Sequence, residues 1–250
     1  MSIADNLALV RATIDAACTT AGRNTADVVL IAVSKTRPLA EIREAAAAGQ
    51  SDFGENYAQE LRDKVDEAAG GASVGLLLTW HYIGSLQTNK AKYVATRAAL
   101  VHDVDRLELA EELGKRARVA RWTGDAPTPL GLLVGVNIGE EPQKSGVMPR
   151  DALVFAAAIA RIPGVALRGL MCIPPADADP IPHFERLRAL RDDGLARGLP
   201  LRELSMGMSH DYPQAIAAGA TFVRVGTAIF GARSLRGLAP AGQAPDGAPA

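Results

Sequence analysis

Residues 28–35 read VVLIAVSK, an uncharged run that ends in a lysine. An apolar run rich in β-branched residues predicts a strand buried on both faces, as the strands of parallel sheets are. Pro38 then opens a helical pattern, LAEIREAAAAG, which ends at Gly49. A buried strand followed at once by a helix is the unit from which parallel α/β folds are built.

The same unit repeats outward from this segment. Further strands are predicted at 52–55, 76–84, 99–104, 130–138, 165–173, 202–207 and 221–226. Further helices are predicted at 3–21, 56–69, 88–96, 105–121, 150–161, 180–197, 211–218 and 228–232. Strict alternation predicts a parallel sheet with right-handed crossovers, and eight units in 250 residues suit a closed barrel. No GxGxxG turn follows the first strand, which argues against an open dinucleotide-binding sheet.

We therefore predict one α/β domain, a single (β/α)8 TIM barrel over residues 1–234. Residues 235–250, LRGLAPAGQAPDGAPA, are rich in Ala, Pro and Gly and carry few large apolar side chains. Such a segment cannot bury enough apolar surface to offset the entropy of ordering it, so we expect a disordered tail.

Composition excludes several classes of function. The formal net charge of −1 argues against a general nucleic-acid-binding surface. Cys18 and Cys172 are too few for a disulfide scaffold, and we expect two buried free thiols. No metal site is expected, because no metal-ligand spacing occurs among His81, His102, His183 and His210.

The N-terminal segment MSIADNLALVRATID carries Asp5 and Arg11 within an apolar helical pattern, which is typical of an amphipathic helix and not of a signal peptide. No apolar run approaches the roughly 20 residues that a membrane-spanning helix needs. We therefore expect a soluble cytoplasmic protein that does not contact membranes.

Active sites of such barrels lie at the carboxyl ends of the strands, and Lys35 lies at the end of the first one. An ammonium there is costly to bury, and partial desolvation lowers the pKa of a lysine so that its amine can attack an aldehyde. The alternative is a structural lysine whose amine reaches solvent.

Two loops near the C-terminus form a predicted phosphate site. LSMGMSHD (204–211) follows the seventh strand and VGTAIFG (225–231) follows the eighth. Barrels often bind phosphate in these two loops, with backbone amides at helix N-termini as donors. Ser209 and Thr227 would add hydroxyl groups, while Gly207 and Gly226 allow close approach of the backbone. The alternative is that Ser209 and Thr227 are helix N-caps.

Arg224 shares its side of the last strand with Phe222 and Gly226, while Val223 and Val225 share the other side. The valines should pack on helices, so Arg224 should point into the barrel. A buried guanidinium needs an acceptor, either a cofactor ring nitrogen or a carboxylate such as Glu55 or Asp103. An amine, a phosphate site and an arginine together match pyridoxal 5'-phosphate (PLP), which has an aldehyde, a phosphate and a pyridine nitrogen.

Long ordered segments of the chain resemble the pyridoxal phosphate homeostasis protein family, whose barrel is similar to that of alanine racemase. The segments are AVSKTRP (32–38), FGENYAQE (53–60), WHYIGSLQTNK (80–90), VHDVDR (101–106), VNIGEEPQKSGV (137–147), GLMCIPP (169–175), LSMGMSHDYPQAI (204–216) and VRVGTAIFG (223–231). The resemblance implies a fold-type III PLP-binding barrel without the C-terminal β-domain of the racemases.

The resemblance also implies roles for particular residues. Lys35 would form the Schiff base with PLP. The other contacts implied are Ser209, Gly226 and Thr227 at the phosphate, Met208 beside it, Arg224 at the pyridine nitrogen, and Asn56 and His81 near the ring.

An arginine donates a hydrogen bond to the pyridine nitrogen without protonating it, so the ring is a weak electron sink and carbanion chemistry is disfavoured. Racemases of this fold take a second base from an added β-domain, which we do not expect here. We therefore expect a monomeric, non-catalytic PLP carrier that releases PLP to apo-enzymes. The alternatives are a PLP-dependent amino-acid racemase and a Schiff-base aldolase.

Lys144 lies in the charged loop EEPQKSG (140–146), after the fifth strand. The simpler interpretation is a solvated surface loop. The functional hypothesis is a secondary PLP contact from which the cofactor is handed over.

Overall fold

The computed structural model describes residues 1–70, 78–120, 122–123 and 126–232, and it contains a closed barrel of eight parallel strands. The strands are β1 (Val29–Val33), β2 (Asp52–Glu55), β3 (Thr79–Tyr82), β4 (Leu100–Val104), β5 (Leu130–Val136), β6 (Val165–Cys172), β7 (Glu203–Ser205) and β8 (Phe222–Val225). Each strand pairs with its neighbours in sequence, and β1 closes the barrel by pairing with β8. The predicted (β/α)8 barrel is confirmed.

Helices surround this barrel. They are α1 (Ile3–Thr20), α2 (Leu39–Ala47), α3 (Ala58–Ala69), α4 (Ala91–Val94), α5 (Leu107–Ala120), α6 (Ala152–Ile159), α7 (Pro180–Ala196), α8 (Tyr212–Ala217) and α9 (Thr227–Phe230). Helix α1 begins with a capping box, in which the side chains of Ser2 and Asp5 each accept a backbone N–H of the other residue. It packs on α2, α8 and α9, where the first and last units of the barrel meet.

The apolar core has two parts, because successive side chains of a strand point to opposite faces. The larger part lies between the strands and the helices, and it includes Val223 and Val225 of β8. The smaller part fills the barrel interior and consists of Ile31, Leu100, Leu133, Met171 and Phe222. The interior is therefore a packed layer, and the polar groups described below lie within it or above it.

The structure shortens several predicted elements. The helix predicted at 88–96 is a 3-10 turn (Thr88–Lys90) followed by the single turn α4. The strand predicted at 202–207 is limited to Glu203–Ser205, because Met206 and Gly207 already belong to the loop at the barrel mouth. Within the loop predicted at 124–129, Ala126–Pro127 pairs antiparallel with Trp122–Thr123.

Other predictions depend on parts of the chain outside the described residues. The predicted strand at 76–84 begins at Thr79, and residues 76–77 are not described. The tail predicted at 235–250 also lies outside the described residues. Cys18 and Cys172 are buried free thiols, as predicted. Across the described part of the chain, no helix combines the length and apolar character needed to cross a bilayer.

Candidate functional site

Lys35 lies in a turn at the carboxyl end of β1, two residues beyond the last residue of that strand. Its side chain is half-buried, between the fully buried Ser34 and the exposed Thr36. Thr36 has a φ of 62°, in the left-handed region that β-branched residues rarely adopt. The turn is therefore held in a conformation that the local sequence does not favour, and other residues must stabilise it.

A buried ion cluster stabilises the turn, formed by Lys64 of α3 with Glu55 and Glu60. The Lys64 ammonium donates to Glu55 Oε1, Glu60 Oε1 and the Ser34 carbonyl, each at 2.7 Å. Glu60 Oε1 also accepts the backbone N–H of Thr36 at 2.6 Å. The cluster thus bonds the residues on both sides of Lys35.

Glu55 is the most buried member of this cluster, with no exposed surface. Burial raises the pKa of Glu55, although the Lys64 ammonium and the Ser34 hydroxyl act in the opposite direction. Its Oε1 accepts the hydroxyl of Ser34 at 2.6 Å. Lys64 is poorly suited to attack an aldehyde, because all three of its N–H donors are in use.

The loop after β7 is organised by hydrogen bonds between its own residues and the first turn of α8. The carboxylate of Asp211 accepts the N–H of Met208 at 2.6 Å, and the Met208 carbonyl accepts the N–H of Tyr212 at 2.9 Å. Gly207 has a φ of 90°, and a Cβ there would lie 2.6 Å from Ala215 Cβ. A glycine is therefore required at 207 both for its φ and for close packing on α8.

Ser209 and Thr227 are not the helix N-caps. Asp211 precedes α8 and Gly226 precedes α9, and neither helix has a side-chain cap. Within the described residues, no hydrogen bond involves the hydroxyl of Ser209 or Thr227. Capping therefore does not explain these hydroxyl groups.

The loop after β8 lies beside the Lys35 turn, because β8 and β1 are paired neighbours. A Cβ added at Gly226 would lie 3.2 Å from Cβ of Val33, which is tighter than ordinary contact. Gly226 thus lets the two backbones approach closely. The predicted phosphate site and the predicted amine therefore share one edge of the barrel mouth.

Arg224 points into the barrel, as the alternation along β8 predicts. It is 4% exposed and donates to Ser205 Oγ at 2.5 Å and to the Cys172 carbonyl at 3.0 Å. Among the described residues it makes no ion pair with Glu55 or Asp103. The carboxylate alternative is therefore wrong for both residues, since Glu55 binds Lys64 and Asp103 accepts from a serine.

His81 lies inside the barrel, with both ring nitrogens in use. Its Nδ1 lies 3.0 Å from Nε2 of His102, and its Nε2 lies 3.0 Å from Oδ1 of Asp52. Nδ1 of His102 in turn lies 2.8 Å from Ser205 Oγ. The geometry therefore places His81 among protein partners and gives it no ring nitrogen with which to contact a ligand.

A cavity of about 370 Å³ opens at the mouth between β2 and β6. It is lined by Asn56, Asp103, Asn137 and Met171 among others. Oδ1 of Asn56 is buried and has no hydrogen-bond partner within the described residues. Burial raises the pKa of Asp103, and a 2.9 Å hydrogen bond from Ser85 offsets only part of that rise. A buried amide oxygen without a partner indicates a place for a ligand donor.

Lys144 also lines this cavity, in a loop that is more ordered than a solvated loop would be. Its ammonium pairs with Glu141 at 2.6 Å and donates to the Pro174 carbonyl at 3.2 Å. Asn137 closes the loop by donating to the Glu141 carbonyl at 2.8 Å. The loop is therefore held against the mouth, and Lys144 is not simply a surface charge.

The structure brings most of the predicted residues to one end of the barrel. Lys35, the 206–211 loop and the Gly226–Thr227 turn follow the carboxyl ends of β1, β7 and β8, which are neighbours in the barrel, and the Arg224 guanidinium points inward from β8. The partly exposed Met208 lies on their rim. Asn56 faces the adjoining cavity, while His81 lies deeper.

Sequence reasoning did not identify the roles of Lys64, Glu60, His102 and Asp52. The Glu60-to-Lys64 spacing of four residues was a visible signal of a helical ion pair. For His102, the signal was its position in the strand ALVHDV, in register with Leu100 on the inward face. Which inward groups meet across the barrel depends on the stagger of its strands, which the sequence does not display.

Comparison with known proteins gives consistent matches across the chain. A model of the family described as alanine racemase, N-terminal domain, matches residues 6–234. The pyridoxal phosphate homeostasis protein of Pseudomonas aeruginosa is 44% identical over 232 residues, covering 93% of this chain and 96% of that protein.

Two solved structures are similar throughout. The crystal structure of an unknown protein from Bifidobacterium adolescentis has a TM-score of 0.81 at 38% identity, covering 91% of this chain and 94% of that chain. PipY of Synechococcus elongatus, in a structure with PLP bound, has a TM-score of 0.76 at 36% identity. That match covers 92% of this chain and 100% of PipY.

Proposed function

Because the chain belongs to the pyridoxal phosphate homeostasis protein family, within the alanine racemase N-terminal domain family, we propose that it binds PLP covalently through Lys35 and serves in PLP homeostasis. The observation that carries the proposal is one juxtaposition at the barrel mouth. Lys35, which is half-buried in a turn stabilised by the ion cluster, lies beside the Gly226–Thr227 turn. The hydroxyl group of Thr227 in that turn is not used to cap a helix.

The residues at the mouth fit each part of PLP. The aldehyde of PLP supplies an electrophile that a lysine amine attacks, which lets a protein hold the cofactor covalently. Lys35 is the amine for this bond. The ion cluster of Lys64, Glu55 and Glu60 orients it through the turn on either side.

The phosphate of PLP fits the turns after β7 and β8. Ser209 and Thr227 offer hydroxyl donors, and Gly226 keeps the backbone close enough for its amides to take part. Met208, which is 38% exposed, would cover the cofactor from the solvent side. Asn56 would use its unpartnered amide oxygen to accept from the hydroxyl group on the cofactor ring.

Arg224 would face the pyridine nitrogen. It stays protonated at any ordinary pH, so it donates a hydrogen bond and leaves the ring nitrogen without a proton. A ring in that state draws electrons weakly, which disfavours carbanion chemistry on a bound amino acid. His81 would act on the ring only through His102, Ser205 and Arg224.

We propose that the protein is a non-catalytic carrier, which holds PLP and releases it to apo-enzymes. The inward arginine supports this, since it weakens the cofactor as an electron sink. We also propose that the barrel is a monomer, which light scattering during size-exclusion chromatography would test. An amino-acid racemase is the competing function, and it predicts turnover of single alanine enantiomers by the PLP-loaded protein at ordinary enzyme rates.

The visible spectrum of the purified protein loaded with PLP tests the proposal. Wild type should show an absorption band above the free-cofactor background, and Lys35→Ala should lose it. Lys115→Ala is the matched control, because Lys115 is exposed on α5 far along the chain from the mouth loops. A band of full intensity in Lys35→Ala would refute the assignment of the amine.

A further inference from the structure

Five polar side chains lie end to end through the barrel interior. This interior chain consists of Asp52, His81, His102, Ser205 and Arg224, with successive contacts of 3.0, 3.0, 2.8 and 2.5 Å. Arg224 is at the mouth end. Asp52 is at the other end, where its side chain is 21% exposed and lines a cavity of about 340 Å³.

The direction of each hydrogen bond follows from the two ends. Arg224 can only donate, so Ser205 Oγ accepts from it. The one hydroxyl hydrogen of Ser205 is then left for Nδ1 of His102, which is the other hydrogen-bond partner that the described residues give this hydroxyl. His102 must therefore carry its proton on Nε2.

The same reasoning extends to the far end. Nε2–H of His102 donates to Nδ1 of His81, and Nε2–H of His81 donates to the carboxylate of Asp52. Reversing the direction of these hydrogen bonds would leave an unprotonated imidazole nitrogen facing a carboxylate at 3.0 Å, which is repulsive. Both imidazoles thus share one arrangement, with the donating proton on Nε2.

The surroundings keep His102 neutral. The ring of Phe222 lies 5.7 Å from that of His81 and 5.4 Å from that of His102, centre to centre. Burial moves the pKa of His102 well below its usual value, and the charge on Arg224 acts in the same direction. For Asp52, burial raises the pKa, but hydrogen bonds from His81 and Ser51 outweigh it and the pKa is lowered.

Other charged groups act on the chain from neighbouring strands. Arg168 of β6 and Glu203 of β7 form an ion pair that acts on the two histidines. Asp103 and Asp211 act on Arg224 from above. Because Arg168 and Glu203 compensate each other, the charge nearest to the imidazoles along the chain remains that of Asp52.

We propose that Ser205, His102 and His81 are positioning residues for Arg224, which they anchor to Asp52 through one hydrogen-bond chain of fixed direction. The anchor occupies Nη1 of the guanidinium, while Nη2 donates to the Cys172 carbonyl, so that two acceptors together fix the orientation of the side chain. The consequence for PLP rests on the proposed function. The interior hydrogen-bond chain does not depend on that function, since all five of its side chains belong to the protein.

Nitrogen NMR of the imidazoles in the full-length protein without PLP tests the chain directly. At pH 8, His81 and His102 should each carry a proton on Nε2. Ser205→Ala should shift His102 toward a mixture of tautomers, and Ser205→Thr, which keeps the hydroxyl, should restore Nε2–H. A wild-type His102 protonated on Nδ1 would overturn the inference.

A second arm measures PLP release. Ser205→Ala removes one charge-assisted hydrogen bond to Arg224, so PLP should dissociate about tenfold faster, with a shifted absorption band. Ser205→Thr should release PLP at the wild-type rate, and an unchanged rate in Ser205→Ala would contradict the positioning role. If no Lys35-dependent band forms at all, the proposed function fails. The NMR tautomers then still show whether the interior hydrogen-bond chain exists.

Discussion

Replacing Lys64 by methionine should destabilise the protein severely, although Lys64 is not itself a predicted site residue. The change keeps the volume of the side chain but removes a buried cation that makes three 2.7 Å hydrogen bonds. Hydrogen bonds to a charged group contribute about 1.5 kcal/mol each. Breaking a buried pair costs about 3–5 kcal/mol, so we expect a loss of about 4 kcal/mol.

The loss should depend on pH in a stated direction. Without Lys64, the buried Glu55 has a folded-state pKa raised even further above its unfolded value of about 4.5. A carboxyl with a raised folded-state pKa stabilises the fold below its unfolded pKa, and this contribution is lost as the pH rises through the folded pKa. Lys64→Met should therefore be closer to wild type at pH 5 than at pH 8.

Urea unfolding at both pH values measures these differences. The double variant Lys64→Met with Glu55→Gln should recover about 2 kcal/mol at pH 8, because it removes the uncompensated anion. Lys115→Met is the control and should stay within about 0.5 kcal/mol of wild type, since Lys115 is exposed. A Lys64→Met variant as stable as this control would refute the bracing role of the ion cluster.

Three further predictions concern other parts of the molecule. Gly207→Ala should cost about 3 kcal/mol in urea unfolding, because its Cβ would lie 2.6 Å from a neighbouring Cβ at a φ of 90°; a loss below about 1 kcal/mol would contradict the required glycine. A thiol reagent such as Ellman's reagent at pH 8 should label neither cysteine in the native protein and both after unfolding. The reason is that Cys18 is buried and that burial raises the pKa of Cys172 to about 12. Rapid labelling of the native protein would contradict this. Lys144→Ala should slow PLP transfer to an apo-enzyme several-fold without abolishing the Lys35-dependent band, and unchanged transfer would leave Lys144 a structural part of its loop.

Much of the fold was predictable because strand patterns, such as the apolar runs of β1 and β5, alternate regularly with helical patterns along the chain. Alternation along β8 also gave the orientation of Arg224, since Val223 and Val225 mark the outer face. The resemblance of long segments identified the family, which the matches across most of the chain confirm.

What the sequence did not reveal depends on contacts between distant strands. Alternation places His81 and His102 inside the barrel, but the barrel's stagger decides that they meet each other and Asp52. Likewise, Arg224 donates to the Ser205 hydroxyl and the Cys172 carbonyl. The charged residues in the sequence gave no sign that these neutral groups, and not a carboxylate, would be its acceptors. The stabilisation of the Lys35 turn depends on Lys64 of α3 reaching the Ser34 carbonyl, a contact between separate elements.

The central claim is tested most directly by locating the covalent link. The PLP-loaded protein is reduced with borohydride, digested, and mapped by mass spectrometry. The account predicts one modified peptide that contains Lys35 and unmodified peptides for Lys64 and Lys144. A stoichiometric adduct on any lysine other than Lys35 would contradict it.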